Sequence, residues 1–126
     1  MNGINFLLDT CFIIGLYNGD NAVLEVIEAK QIMLTDCAIS PINRMEILGY
    51  RGLTADDTAN LTRLLDSLLS LPISRQVENK TIELRKRHQI QLPDSIVLAT
   101  ALSHDVQLLT LDYGLARKYQ AEVSGN

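Results

Sequence analysis

Four carboxylates stand out in this chain by where they fall: Asp9, Glu46, Asp94 and Asp112. Asp9 directly follows the apolar run INFLL (4–8), and Asp112 comes two residues after another, VQLLT (106–110). Asp94 stands behind Pro93, at the start of a nearly all-apolar stretch running to residue 103. Glu46 lies within 42–51, which has the composition of a helix. At about 100° per residue, Ile42, Met45, Gly49 and Tyr50 fall on one side, with Glu46 in the middle of it. Arg44 and Arg51 fall opposite. A carboxylate buried on such a face is costly unless it is paired or holds a metal. The other three acids also suit plainer roles. Asp9 and Asp112 are good N-caps, and Asp94 complements a helix macrodipole. Brought together, four acids repel one another unless cations neutralise them. Oxygen ligands without His or Cys suit Mg²⁺ or Mn²⁺, ions that activate water and neutralise a leaving oxygen in phosphodiester hydrolysis.

The elements that must position these acids follow from the hydrophobic pattern. INFLL reads as a short strand covered on both faces. Residues 11–17 read as a helix stopped by Asn18-Gly19-Asp20, and Asp20 caps a second helix carrying Val23, Val26 and Ile27. CAIS (37–40) reads as a second strand, and Ser40-Pro41 opens a helix with a cap and a first-position proline. Thr54 and Asp57 resemble a capping box before Leu61, Leu64, Leu65, Leu68 and Leu69. Residues 75–88 read as a charged helix with a Val77/Thr81/Leu84/His88 stripe. Pro93 opens another helix, VQLLT is a buried-type strand, and 113–119 a last helix, with Glu122-Val123 as a terminal strand. Strands alternating with helices pair in parallel, which predicts an α/β sandwich. Ligands of such sheets bind beyond the carboxyl ends of the strands, where Asp9 and Asp112 fall.

The remaining features bound the reading. A chain of 126 residues fits a single domain over 1–126. Its apolar fraction of 47% and charged fraction of 21% are those of a soluble globular protein. The net charge of −4 and pI near 5.0 argue against binding nucleic acid through bulk positive charge. Cys11 and Cys37 match no disulfide framework or zinc spacing and read as core residues. There is no basic leader and no spanning apolar run, so a cytoplasmic protein without a membrane partner is expected. His88 and His104 read as packed or capping histidines. Asp36, Asp56, Asp57 and Asp105 read as solvated caps or loop residues. Lys80, Arg85, Lys86 and Arg87 form a basic cluster, either a solvated helix face or a phosphate track.

The segments FLLDT (6–10), SPINRMEIL (40–48), LPDSIVLATAL (92–102) and LLTLDYGLA (108–116) resemble, in order and spacing, the motifs of PIN domains. The likeness spans essentially the whole chain and is greatest to the small VapC-type toxins of type II toxin–antitoxin pairs. It implies a three-layer α/β/α fold around a parallel sheet. It also implies a Mg²⁺- or Mn²⁺-dependent endoribonuclease that cleaves RNA by in-line attack of metal-activated water. Asp9, Glu46, Asp94 and Asp112 fall on the family's acidic positions. Asp9 and Asp94 are the first choices as direct ligands, while Glu46 and Asp112 bind a second ion or orient water. Thr10 and Thr110 fall where the family often has a hydroxyl near the metal. Leu115 stands where many relatives have Phe, a difference of packing. The resemblance further implies a homodimer and a small antitoxin whose tail covers the site. The leucine-rich 55–71 segment and the helix before it are candidate contact surfaces. Two alternatives remain: a catalytically silent binding module on the same fold, and a receiver-like phosphoacceptor. The latter needs a paired acid near Asp9, where Asn2 and Asn5 stand, and a lysine after a late strand, whereas Lys118 falls within a helix.

Overall fold

The computed structural model describes residues 3–125. Its centre is a parallel four-stranded sheet in the order β3-β2-β1-β4. The strands are β1 (Phe6–Leu8), β2 (Cys37–Ile39), β3 (Leu69–Ser70) and β4 (Gln107–Leu109). Register is unambiguous: Leu7 lies opposite Ala38 and Leu108, and Ala38 opposite Leu69. Each strand is so short that its alternating side chains divide cleanly between two cores. Leu7, Ala38 and Leu108 enter one, and Leu8, Ile39 and Leu109 the other.

Seven helices cover the two faces. On one side lie α1 (Thr10–Asn18), α2 (Asn21–Lys30), α3 (Pro41–Leu48) and α4 (Ala55–Asp66), supplying Phe12, Ile13, Val23, Ile47, Leu61 and Leu65 to the core. On the other lie α5 (Arg75–Arg87), α6 (Leu92–His104) and α7 (Tyr113–Ser124), supplying Val77, Leu84, Val97, Leu98 and Leu115. This is the three-layer α/β/α sandwich expected. Among the described residues no helix is long and apolar enough to cross a membrane.

Local chemistry explains the boundaries. Asp9, Asp20, Ser40, Thr54, Ser74 and Asp112 each cap the helix that follows with a side-chain oxygen. Gly19 ends α1 in the left-handed region, at φ 71°, where glycine alone pays no Cβ penalty. Gly15 serves a different purpose. A Cβ there would stand 2.6 Å from Val23 Cγ2, so its absence lets α1 and α2 pack closely.

Several sequence-based expectations need correcting. The α4 helix ends at Asp66, and Leu69 begins the edge strand β3 instead of continuing the leucine stripe. Leu61, Leu65 and Leu68 are core, leaving Leu69 half exposed. Glu122 and Val123 lie inside α7, not in a strand, because the helix continues until Ser124. Asp57 is not simply solvated. It accepts a 2.8 Å hydrogen bond from the Tyr17 hydroxyl, which ties α4 to α1 and holds the carboxyl below its usual range. His88 is a capping histidine, as expected: it ends α5, and it bonds Glu122 at 2.6 Å.

Candidate active site

The chain crosses between the two sides of the sheet next to β1, whose neighbours β2 and β4 are reached by opposite routes. A crevice opens at the carboxyl ends there. The backbone joins it firmly, since Asp9 N donates to Leu109 O at 3.0 Å. Residues leaving β1 and β4 are thereby brought side by side. The ends of α3 and α6 complete a cleft of about 560 Å³ lined by Asp9, Thr10, Glu46, Asp94 and Asp112, with Cys11 and Leu111. All four acids singled out in the sequence line this one cleft.

Each acid is held differently. The buried Asp9 accepts from Thr10 N and from Thr110 Oγ1, both at 2.8 Å. Thr110 Oγ1 in turn accepts from Asp112 N at 3.0 Å. Asp112 accepts from Leu115 N at 3.1 Å as the cap of α7. Glu46 accepts from Thr10 Oγ1 at 2.8 Å, and Thr10 Oγ1 accepts from Asn43 Nδ2 at 3.1 Å. Thr10 thus links Asp9 to Glu46 through its amide and its hydroxyl, and the Thr110 hydroxyl links Asp9 to the Asp112 amide. Asp94, in the first turn of α6, is half-buried and accepts no hydrogen bond among the described residues. Burial, and then the charges of Asp9, Asp112 and Glu46, push its carboxyl above the usual range, while Lys118 pulls it down.

The reasoning that drew attention to Glu46 is corrected. The buried side of α3 carries Asn43 and Ile47, whereas Met45 and Tyr50 are 58% and 67% exposed. Glu46 is exposed on the cleft wall and bears no burial penalty. Apolar residues at helical spacing marked a surface, not the core. Cys11 likewise borders the cleft instead of the core, and burial pushes its thiol up, which leaves it a weak nucleophile. Cys37 is core, its thiol pushed up to about 11.

Asn43 escaped the sequence reading. It is fully buried, closes a capping box by accepting from Ser40 N at 2.9 Å, and supports Thr10 beneath Glu46. The Ser-Pro-x-Asn spacing is the signal that points to it. The basic cluster lies elsewhere. Lys80 pairs with Glu83, and Arg87 with Glu83 and Glu122. Lys80 and Arg87 border a groove with the end of α7, not the acidic cleft. Arg85 and Lys86 are exposed.

As placed, no three His, Cys, Asp or Glu side chains among the described residues close on a single point. The donor set nonetheless fits a hard divalent cation in its chemistry. It is all oxygen, strongly anionic, and contains one carboxylate, Asp94, that no protein donor stabilises.

A parallel α/β/α sandwich with an acidic cleft at its strand ends is the architecture of a PIN domain, and the PIN-domain family pattern matches residues 6–121. The chain belongs to the PIN-domain family. The receiver-like alternative fails, since a receiver's doubly wound sheet has a different strand order. No curated protein sequence matches significantly. Among solved structures, the chain is similar to one described as a toxin–antitoxin complex from Klebsiella pneumoniae. That match has 29% identity and a TM-score of 0.72, and covers 84% of this chain and 85% of that one. FitAcB from Neisseria gonorrhoeae matches at 23% identity and TM-score 0.70, covering 91% of this chain and 93% of that one. VapBC-1 from nontypeable Haemophilus influenzae matches at 20% identity and TM-score 0.72, with 93% of each chain covered. The last two likenesses concern the fold.

Proposed function

We propose that this chain is a Mg²⁺- or Mn²⁺-dependent endoribonuclease and the VapC-type toxin of a toxin–antitoxin pair. Support comes from PIN-family membership, the likeness to a toxin–antitoxin complex, and the acidic cleft. The observation that carries the reading is Asp94. A carboxylate crowded by burial and three like charges, which accepts no hydrogen bond among the described residues and is only partly offset by Lys118, costs stability. That cost is expected at a site kept for binding a cation.

Asp9 and Asp94 are the residues that would hold the ion, with Glu46 and Asp112 completing its surroundings or orienting water. A divalent cation bound there would supply Lewis acidity toward water and toward the phosphate. The protein contributes orientation. Thr110 and the Thr10 amide fix the Asp9 carboxylate, and the Asn43–Thr10 relay aims Glu46 into the cleft. The partners of this reading are RNA as substrate, a second copy of the chain, and a small antitoxin whose tail covers the cleft.

The test is cleavage of total bacterial RNA by the purified chain after chelation, with and without added Mg²⁺ or Mn²⁺. Restoration by either ion is expected. Full activity in excess chelator removes the metal mechanism, and no cleavage under any condition removes the ribonuclease.

A further inference from the structure

The acidic cleft does not end at its four carboxylates. Between α6 and α7 it continues into a second groove, about 270 Å³, bordered by Gln89, Gln91, Asp94, Asp112, Gly114 and Lys118. Asp94 and Asp112 belong to both hollows. At Thr10 and Glu46 the cleft instead meets an apolar hollow walled by Ile14, Ile47, Tyr50 and Leu53. Of these two adjoining hollows, the one past Asp94 and Asp112 is the polar one.

The chemistry of that route is specific. Lys118 is half-buried on α7 and makes no hydrogen bond or ion pair among the described residues. Its charge nevertheless reaches Asp94. Neighbouring Arg117 is differently employed, with its guanidinium 5.5 Å from the centre of the Tyr113 ring. Gln89 and Gln91 add side-chain amides to the groove. Gly114 lies between the two charges: a Cβ there would stand 3.4 Å from Asp112 Oδ1 and 4.0 Å from Lys118 Nζ, at ordinary contact distance.

We propose that Lys118, with Gln91 lining the same groove, holds the RNA phosphate next to the scissile one, so that this groove is the path by which the strand leaves the cleft. The inference rests on the ribonuclease reading above and names a substrate contact within it. Phosphates approach four acids against repulsion, and a cation held by those acids would neutralise the charge of the scissile group alone. The neighbouring phosphate needs a positive charge of its own. An ammonium ion offers three donors and a compact charge to a phosphate oxygen. A phosphate gripped at one fixed point sets the register of the strand while leaving its bases unread. Lys118 is thus a binding and positioning residue, and it lends no group to bond cleavage.

The experiment has two arms on the full chain. In a Glu46→Gln background, expected to stop cleavage while leaving the residues of this groove unchanged, a short labelled single-stranded RNA of mixed sequence is titrated by fluorescence anisotropy in Mg²⁺ over a salt series. Adding Lys118→Ala is expected to weaken binding roughly tenfold. It should also flatten the plot of log affinity against log salt by about 0.7. Lys118→Arg should keep both near their starting values, and Lys118→Gln, which preserves length, should repeat the loss if Ala perturbs the fold. In the cleaving chain, Lys118→Ala should raise KM with kcat held. Unchanged affinity and slope overturn the proposal. So does a loss confined to kcat, which would put Lys118 to work on the acids. If the Lys118-containing chains neither bind nor cut RNA, the ribonuclease reading itself has failed and the proposal falls with it, an outcome visible without any Lys118 variant.

Discussion

Asp94→Asn separates a metal-binding carboxylate from a helix-start residue, because the two roles predict opposite signs of stability change. Asp94 is the third residue of α6, where the macrodipole favours an anion by about 0.3–1 kcal/mol. Asparagine forfeits that contribution. Against it stand burial and repulsion from Asp9, Asp112 and Glu46, only partly offset by Lys118. Across a solvent-reachable cleft this repulsion is screened, and in sum it is on the order of 1–2 kcal/mol. Without metal, the net effect of the substitution is therefore a gain of about 0–1 kcal/mol. A gain at the upper end would raise Tm by roughly 3–5 °C in a chain of this length. The gain should depend on pH in a defined direction. The Asp94 carboxyl is raised in the fold, so its penalty vanishes where the group is protonated in both states. The penalty then grows as pH climbs above the ordinary Asp value near about 4 and levels off above the folded value. The advantage of Asp94→Asn should follow the same course. Adding Mn²⁺ should raise Tm of the parent more than that of the variant, since the rise reports metal binding to the native state. Cleavage should be lost, because an amide cannot replace the charge. Melting curves from pH 3 upward, with and without Mn²⁺, beside one cleavage assay, check all of this. A variant that is less stable, shows the parent's Mn²⁺ response and cuts RNA at the parent's rate would refute the assignment.

Three further outcomes are expected. If α5 tracks phosphates, the effect belongs to Arg85 and Lys86, since Lys80 and Arg87 are already paired. Replacing both free residues with Ala should flatten the salt dependence of RNA binding by about 0.7 per lost contact, and an unchanged slope returns them to a solvated face. Gly15→Ala drives a methyl into buried Val23, and denaturant unfolding should show a loss of about 1–3 kcal/mol. Glu122 accepts from Arg87 and His88, and the Arg87 guanidinium above all holds its carboxyl below the usual range. Its stabilising effect is present above the ordinary Glu range and lost as pH falls through the depressed value. Glu122→Gln should accordingly lower Tm at neutral pH, with the gap to the parent closing in acid.

The sequence by itself determined the alternation of short apolar runs with capped amphipathic stretches. It thereby determined the parallel sheet, both flanking layers and the position of Asp9 and Asp112 beyond strand ends. Such features are local, for a cap, a turn glycine or a four-residue apolar run acts within a few residues of itself. Tertiary structure decided what depends on partners distant along the chain. Leu69 became an edge strand because Ala38 lies beside it, a pairing that outweighs the leucine periodicity. Met45 and Tyr50 were left outside although their spacing pointed inward, since the α3 face that meets the core is set by the helices α1, α4 and α6 packed against it. Thr10, Asn43 and Glu46 form a relay across more than thirty residues of chain. Lys118, a solvated helix residue by its neighbours in sequence, stands beside Asp94 only because α6 and α7 pack against the same face of the sheet. Electrostatic coupling follows distance in space, and for these residues distance in space is a property of the fold.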